Sequence, residues 1–188
     1  MDEIAQLHRR ALEETRVKVA AVGAEQMELP TPDDEWDVRA LFNHVISGNY
    51  WAAELVGGAT IEDVGDRLDG DLLGDDHLAA YDSSAQAAAA AFEASGALEA
   101  PCAVSYGPVP GFVYAGHRFV DVFIHGWDLA KATGQDTVLD PELLAACAEI
   151  LEPQMEGVQA SGAFGVEVEV PPDADAQTRL LGQLGRTA

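Results

Sequence analysis

The sequence predicts an all-α protein, a four-helix bundle followed by a short C-terminal helical extension. Alanine and leucine dominate its 188 residues and β-branched runs are scarce, a composition that favours helices over strands. Four long segments carry apolar residues at helical spacing, and loops rich in proline or glycine separate them. We therefore expect a single domain over residues 1–188, with the core bundle at about 2–134 and the extension at about 135–188.

The first two helices are predicted from apolar residues that recur every three or four positions. Helix one covers about 2–24, and the two prolines of "LPTPDDEWD" interrupt the pattern after it. Helix two covers about 36–56 and ends at a pair of glycines. The candidate N-terminal caps for helix two are Thr31, Asp33 and Asp34.

The next helices follow an acidic loop. This loop, at 60–76, is punctuated by glycines and is expected to hold at most a short helical turn. The alanine-rich segment 77–95 is predicted as helix three, and "EAPCAVSYGPVPG" as extended or looped chain with room for a short strand. Helix four covers 111–132, about six turns without a proline.

The extension is predicted to contain two more helices. Pro141 suits the first turn of helix five, at about 141–156. Pro153 is expected to perturb the end of that helix, because proline cannot donate the helical hydrogen bond. A briefly alternating segment then leads to a short amphipathic helix at 176–184.

The composition also limits what the protein can bind. The formal net charge is −23, whereas nucleic-acid binding needs a cationic surface that displaces counterions from phosphates. Anionic membrane surfaces are disfavoured for the same reason. No signal peptide or membrane span is expected, because Met1 leads directly into a charged helical pattern. Cys102 and Cys147 match no metal or redox spacing, so reduced, buried thiols in a cytoplasmic protein are expected.

Helix four carries a line of polar residues that a mostly apolar helix does not need. At about 100° per residue, His117, Asp121, His125 and Asp128 fall within a stripe about 80° wide. Bulky apolar residues occupy most of the remaining circumference. Two interpretations are open at this point: the stripe is the solvent face of the helix, or it faces inward and holds a ligand.

A third potential metal ligand on helix two favours the inward interpretation. Asp121 and His125 are four residues apart, so both side chains can reach the same ion. His44 lies on the flank of the apolar face of helix two, and Gly48 one turn later leaves a space without a side chain. A lone histidine at such a position is more often a core residue, but the three residues together offer two imidazoles and one carboxylate. Three protein ligands leave an open coordination position, which distinguishes a reactive metal site from a structural one.

The same residues carry a family resemblance. The motif W-x-V-x-x-L-x-x-H ends at His44, and R-x-x-D-x-x-x-H-x-W-D-L-A-x-A-T-G runs from Arg118 to Gly134. Together they resemble the DinB-like metal-binding bundles, and more narrowly the actinobacterial branch related to the N-terminal domain of mycothiol-dependent maleylpyruvate isomerase. The tail, with "VPPDADAQTRLLGQLGR", resembles the C-terminal segment of that branch, so the resemblance covers nearly the whole chain.

The resemblance implies a four-helix bundle that holds a divalent metal at one end of its core, zinc in the first place, with nickel or iron as alternatives. His44 and His125 match ligand positions of the family directly. Asp121 stands where isomerase-like members carry an acidic ligand and many other members carry a third histidine. His117 matches no ligand position of the family and is not expected to bind the metal.

The resemblance also implies thiol chemistry. The metal would bind a low-molecular-weight thiol such as mycothiol and hold it as thiolate, which is the nucleophilic form. The expected function is therefore a metal-dependent thiol transferase or isomerase that acts on a small electrophilic molecule. The isomerase has an additional C-terminal domain, whereas about fifty residues follow helix four here, so the isomerase activity itself is not carried over. The alternative is a non-catalytic metal- or ligand-binding bundle in stress response, and a homodimer is expected because relatives are often dimers.

Other polar residues near the stripe leave their roles open. Arg118 is expected either to pair with the carboxylate three residues later or to anchor an anionic substrate. Asp128 is expected either to accept the second ring proton of a ligand histidine or to hold an N–H or arginine partner. His8 and His77 lie on polar or terminal stretches and are expected to be solvated.

Overall fold

The computed structural model describes residues 2–33, 36–162 and 164–188. The α-helices are α1 (Asp2–Ala20), α2 (Val38–Val56), α3 (Ile61–Val64), α4 (His77–Glu93), α5 (Gly111–Thr133), α6 (Pro141–Leu151), α7 (Met155–Ser161) and α8 (Ala176–Gln183). The strands are β1 (Pro101–Val104) and β2 (Gly107–Pro110), and 3₁₀ turns lie at Ala24–Gln26 and Glu152–Gln154. The predicted all-α class is confirmed.

The four long helices, α1, α2, α4 and α5, form the bundle. Helix α1 packs against α4 and α5, and α2 packs against the same two helices, so each long helix has two close neighbours. Their apolar faces are buried against one another, because an amphipathic helix must bury its apolar stripe against another element. The largest buried aromatic side chains are Trp127, Tyr81, Phe119 and Phe123 in the main core cluster and Phe92 in a second, smaller cluster. The predicted four-helix bundle is thus confirmed.

The predicted helices differ from the structure mainly at their ends. Helix α1 ends at Ala20, four residues before the predicted end, and α2 begins at Val38. The cap of α2 is Asp37, whose side chain accepts a hydrogen bond from the amide of Ala40 at 2.8 Å. The prediction that Thr31 or Asp33 caps this helix was therefore wrong, because both residues lie in the preceding turn. The third candidate, Asp34, lies outside the described residues.

Two segments gain structure that the sequence suggested only in outline. The chain between α4 and α5 forms an antiparallel hairpin, in which Pro101 pairs with Pro110 and Val104 with Gly107. The side chain of Tyr106 extends from the turn of this hairpin and is mostly exposed. Further along, the 3₁₀ turn with Pro153 interrupts the predicted fifth helix and separates α6 from α7, as the missing N–H of proline requires.

The extension packs against the bundle. Leucines of α6 and α8 are buried in the same core cluster as α1, α2 and α5. After α8 the chain turns sharply at Gly185, which has a φ of 81° and lies against Gly165. A Cβ at Gly185 would come within 2.5 Å of the carbonyl carbon of Gly165, so glycine is required there. This turn brings Arg186 back to the bundle, where it is buried.

The structure also bears on the cysteines and on membrane insertion. Cys102 and Cys147 are both buried and free, as predicted. In the part of the chain that the structure describes, no helix has the length and apolar character needed to cross a bilayer.

Candidate metal centre

The three predicted ligands meet where α2 packs against α5. His44 lies on α2, and Asp121 and His125 lie on successive turns of α5. Oδ1 of Asp121 is 3.2 Å from Nε2 of His44 and 3.6 Å from Nε2 of His125. One ligand atom from each residue lies within 4.8 Å of the other two. The structure therefore brings together the residues that the sequence singled out, while metal binding itself stays a prediction.

The cluster lies at the boundary of the core. The side chain of His125 is 3% exposed, whereas that of His44 is 34% exposed. The indole of Trp36 stacks on the imidazole of His44, with ring centroids 4.4 Å apart and an interplanar angle of 29°. His44 is thus held by an aromatic neighbour, and it is the most solvent-exposed of the three residues.

The geometry of the cluster fits a divalent metal. Zinc binds nitrogen and oxygen ligands at about 2.0–2.1 Å, which separates two ligands of a tetrahedral ion by about 3.3 Å. The two distances from Oδ1 of Asp121, 3.2 and 3.6 Å, lie on either side of that value. Two imidazoles and one carboxylate also suit nickel or iron.

The second carboxylate oxygen of Asp121 gives independent support. Oδ2 is buried and accepts no hydrogen bond from the described residues. Nη1 of Arg118 lies 2.9 Å away, so charge is balanced, but the N–H does not point at the oxygen closely enough to form a hydrogen bond. A buried acceptor without a donor costs about 1–3 kcal/mol, and an ion in contact with Oδ2 as well as Oδ1 would remove that cost.

A second buried carboxylate supports His125 from the opposite side of its ring. Oδ2 of Asp128 lies 3.0 Å from Nδ1 of His125. A carboxylate can only accept, so Nδ1 donates and Nε2 is left to face Asp121. Arg186 donates through Nε and Nη2 to the two oxygens of Asp128, at 3.1 and 2.8 Å. Asp128 therefore makes both of the contacts considered for it, one with a histidine and one with an arginine, while metal binding by that histidine stays a prediction.

Arg186 is a residue that the sequence analysis did not single out. It lies 58 positions after Asp128, and no helical or strand spacing relates residues so far apart. The one available signal was the resemblance of the C-terminal tail, which ends with this arginine. That resemblance covered a segment and did not point to a single residue.

Neighbouring charges determine the protonation of the cluster. Burial alone would raise the pKa of Asp121, but Arg118, His125 and His44 outweigh burial and hold that pKa well below its usual value. Burial alone would lower the pKa of His125, but the carboxylates of Asp121 and Asp128 raise it to about 9. These contacts favour a cationic His125 at neutral pH, and a metal ion that binds Nε2 would replace that proton.

The space that was predicted beside Gly48 holds the guanidinium of Arg118. A Cβ at Gly48 would lie 2.4 Å from Nη1 of Arg118. Arg118 is only 7% exposed, and its Nη2 lies 3.5 Å from Oδ1 of Asn49. Of its two open roles, the structure shows the pairing with Asp121.

His117 lies one turn before Asp121 on α5 and outside the cluster. Its Nδ1 is 2.7 Å from the hydroxyl of Tyr106, in the turn of the hairpin. Burial lowers the pKa of His117, so the ring is neutral at pH 7 and Nδ1 can accept the hydroxyl proton. The hairpin is therefore tied to α5 close to the cluster.

Two cavities adjoin the cluster, and both are lined by Tyr106, His117 and Asp121. The first has a volume of about 560 Å³ and mixes aromatic, aliphatic and charged walls. Its other lining residues include Trp51, Leu55, Tyr114 and Arg118. The second has a volume of about 520 Å³ and mainly apolar walls. Its other lining residues include Val120, Leu151, Val158 and Phe164.

The prediction of a solvated His8 was wrong. His8 is 0% exposed, and its ring packs edge-on against Phe92 with centroids 5.0 Å apart. It lies three residues after Ala5 and four before Leu12, which are both buried, so helical spacing places it on the inner face of α1. His77 is half-buried and stacks on a phenylalanine of α2.

Similarity to known proteins extends over most of the chain. The family model of the mycothiol maleylpyruvate isomerase N-terminal domain matches residues 8–130, a segment that includes the whole cluster. Two curated proteins from two strains of Mycobacterium tuberculosis, both described as uncharacterized, are each 37% identical to this chain over 188 residues. These alignments cover 96% of this chain and 96% of each relative. No solved structure gives a significant match.

Proposed function

The chain belongs to the family of the mycothiol maleylpyruvate isomerase N-terminal domain, and on that premise we propose that it is a metal-dependent thiol transferase or isomerase. The thiol is of the low-molecular-weight, mycothiol type, and the second substrate is a small electrophilic molecule. The observation that carries the proposal is the meeting of His44, Asp121 and His125 beside two cavities. Three protein ligands leave a coordination position open to a substrate.

The chemistry follows from thiol activation. A divalent ion bound by the cluster would lower the pKa of a bound thiol, so that sulfur is present as thiolate at neutral pH. Such a thiolate would form a bond from its sulfur lone pair to one carbon of an activated double bond, while the π electrons move to the conjugated carbonyl oxygen. In a transferase the neighbouring carbon of this enolate would take up a proton from solvent water. In an isomerase the new single bond would rotate, and the thiolate would leave as the enolate electrons restore the double bond.

Residues of the first cavity can stabilise the charge that develops in this addition. Burial raises the pKa of Tyr114 to about 12, so its hydroxyl stays protonated at neutral pH and can donate to an oxyanion. The guanidinium of Arg118 lines the same cavity and provides positive charge next to Asp121. Hydrogen-bond donors and cations that are already in place at a developing negative charge favour the transition state.

The second cavity suits the apolar part of the electrophile. Its apolar surface comes from three aliphatic side chains, one each on α5, α6 and α7, together with Phe164. Ligand pockets are commonly apolar, with a few polar groups that fix orientation. Here Gln154 and Ser161 lie among the apolar residues.

The first test is elemental analysis of protein purified without a metal-affinity tag. We compare the wild type with His125→Ala, and with His77→Ala as a half-buried histidine outside the cluster. We expect close to one equivalent of zinc, nickel or iron in the wild type and in His77→Ala, and a sharp drop in His125→Ala. Protein loaded with cobalt is then titrated with N-acetylcysteine, and a sulfur-to-cobalt absorption band is expected.

The outcomes separate the candidate functions. Metal together with the cobalt–thiolate band supports the enzyme. Metal without the band favours the non-catalytic metal-binding bundle. If the wild type carries no metal and takes none up on dialysis, the stripe on α5 is a hydrogen-bond network and the enzyme proposal is abandoned.

A further inference from the structure

We propose that Arg186 is a positioning residue of the metal centre, and that docking of the C-terminal segment 184–188 and metal binding strengthen each other. The inference rests on the metal binding that is part of the proposed function. It does not depend on thiol chemistry, so the two can fail separately.

Arg186 is held as firmly as a core residue. It is 2% exposed, and its Nε and Nη2 donate to the two oxygens of Asp128. Its Nη1 donates to the carbonyl oxygen of Leu184 at 2.8 Å, so every guanidinium nitrogen has an acceptor. A two-point contact between guanidinium and carboxylate fixes the plane of the carboxylate as well as its position.

The orientation of Asp128 determines the orientation of His125. Asp128 is fully buried and accepts from Nδ1 of His125 at 3.0 Å. This contact directs Nε2 of the same ring toward Asp121. Carboxylates that bind the second nitrogen of a ligand histidine fix its tautomer and ring angle. Arg186 therefore acts on the metal site through one intermediate residue.

Arg186 also contacts a second segment close to the cluster. Its Nη2 lies 3.6 Å from Oδ2 of Asp33, in the turn that precedes Trp36. Trp36 is the residue that stacks on His44. The C-terminal segment is therefore connected to the surroundings of both histidines, on α2 and on α5.

A third contact involves the wall of the apolar cavity. The guanidinium of Arg186 lies over the ring of Phe164, 5.3 Å from its centroid. The ring of Phe164 is in turn 6.2 Å from that of His125. An arginine over an aromatic face is attracted by the ring's negative face, so the same residue helps to hold Phe164 beside the site.

The backbone shows that this docking is a defined structure. The amide of Arg186 donates to the carbonyl oxygen of Leu181 at 2.8 Å, and the amide of Leu184 to that of Leu180 at 3.2 Å. The left-handed turn at Gly185 lies between them. Exchange of these two amide protons therefore reports how firmly the segment is docked.

Reciprocity gives the proposal two separate consequences. If docking of Arg186 increases the affinity for metal by a certain factor, metal binding must favour docking by the same factor. The first consequence is weaker metal binding when Arg186 is replaced. The second is slower exchange of the amides of Leu184 and Arg186 when metal is bound.

Zinc affinity is measured by competition with a chromophoric chelator for the wild type, Arg186→Gln, Arg186→Lys and Arg179→Gln. Arg179 lies exposed on α8 and its replacement removes the same charge, so it is the matched control. We expect Arg186→Gln to bind zinc about 10-fold more weakly, the lower end of the range for removing a direct partner of a ligand histidine, because Arg186 acts through Asp128. Arg186→Lys should lie between, because lysine keeps the charge but cannot form the two-point contact. Arg179→Gln should bind as the wild type does.

Hydrogen exchange of the same proteins, with and without zinc, gives the second measurement. We expect zinc to slow exchange at Leu184 and Arg186 in the wild type, by a factor similar to the loss of affinity in Arg186→Gln.

If Arg186→Gln binds zinc as tightly as the wild type, this inference is overturned and the proposed metal site is left intact. If Arg186→Gln does not fold, Arg186→Lys decides in the same way. A wild type without zinc affinity overturns both proposals, whereas zinc binding that depends on Arg186 without any thiol binding overturns only the enzyme.

Discussion

Two buried histidines of this bundle have pKa values that are shifted in opposite directions. His125 is 3% exposed and His8 is 0% exposed. The carboxylates around His125 outweigh burial and raise its pKa to about 9. Burial, followed by the charges of Arg118 and Arg9, lowers the pKa of His8 to about 3, and neither of its ring nitrogens has a hydrogen-bond partner among the described residues. Depth in the core alone therefore does not determine the charge of a histidine, because burial acts together with the neighbouring charges and the larger of the two effects decides.

The comparison also separates two kinds of polar core. The charges around His125 alternate in sign. Arg118 pairs with Asp121, His125 lies between Asp121 and Asp128, and Asp128 pairs with Arg186. Such a network is stable only while each buried charge keeps its partner. His8 is a neutral ring among apolar side chains and depends on no partner. Removing one group should therefore have a large effect in the first region and a small effect at neutral pH in the second.

The largest effect on stability is expected for Asp121→Asn. The substitution leaves the buried guanidinium of Arg118 without its counter-charge, and breaking a buried pair in this way costs about 3–5 kcal/mol. The free energy of unfolding is measured by urea denaturation with a chelator present, so that metal does not contribute. Asp82→Asn is the control, because Asp82 forms an exposed pair with Arg16 and should cost less than about 1 kcal/mol. Equal costs for the two variants would contradict the network.

The second prediction concerns acid stability and His8. In the unfolded chain His8 takes up a proton near pH 6.5, whereas in the folded protein it does so only near pH 3. The unfolded state therefore binds more protons between these values, so stability is full above pH 6.5 and is lost as the pH falls toward 3. Between pH 6.5 and 4 the free energy of unfolding should fall by about 3 kcal/mol because of this group.

His8→Leu tests this prediction, because leucine does not titrate and fits an apolar site. Urea unfolding at several pH values should show a smaller loss on acidification than in the wild type, with little change at pH 7. His77→Leu is the control, since His77 is half-buried. An unchanged acid slope in His8→Leu would show that His8 is hydrated in solution.

The third prediction concerns His125 and the loss of stability at alkaline pH. The pKa of His125 is raised to about 9, so its contribution to the stability of the metal-free protein is present below pH 6.5 and is lost as the pH rises through 9. Between pH 7 and 9 the loss is about 2 kcal/mol. The stability gap between the wild type and His125→Gln, measured with a chelator present, should therefore narrow over this range. A constant gap would mean that the carboxylates do not hold a proton on this ring.

The smallest effect is expected for Gly48→Ala. The added methyl group would overlap the guanidinium of Arg118, which can move only by leaving Asp121, and overpacking of this kind costs about 1–2 kcal/mol. Gly116→Ala is the matched control, because the nearest atom to its Cβ, on Ile150, is 3.6 Å away. Alanine in a helix interior should there stabilise by up to about 1 kcal/mol. The melting temperatures of both variants are compared with that of the wild type. If both substitutions raise it, the side chain of Arg118 is mobile.

The sequence predicted what depends on local spacing. The helices followed from apolar periodicity, and the pairing of Asp121 with His125 followed from one helical turn. His44 could be added because helix two has an apolar face that shows which residues point inward. Metal binding by these residues stays a prediction, since the structure tests only their proximity.

The features that sequence analysis missed depend on other kinds of contact. The partner of Asp128 lies at the far end of the chain, so only the tertiary fold could identify Arg186. The cap at Asp37 was missed because the start of the helix was placed two residues early. His8 was misjudged because its polarity was given more weight than its position on the inner face of α1.

The stacking of Trp36 on His44 gives the protein an intrinsic optical reporter. The indole lies 4.4 Å from the imidazole, and indole emission is sensitive to charge on a ring with which it is in contact. The other two tryptophans, Trp51 and Trp127, do not stack on His44, so the emission of Trp36 is isolated by comparison with Trp36→Phe. If the cluster binds a metal as proposed, binding should change this emission, so it can be followed without an added dye and at concentrations below those that absorbance requires.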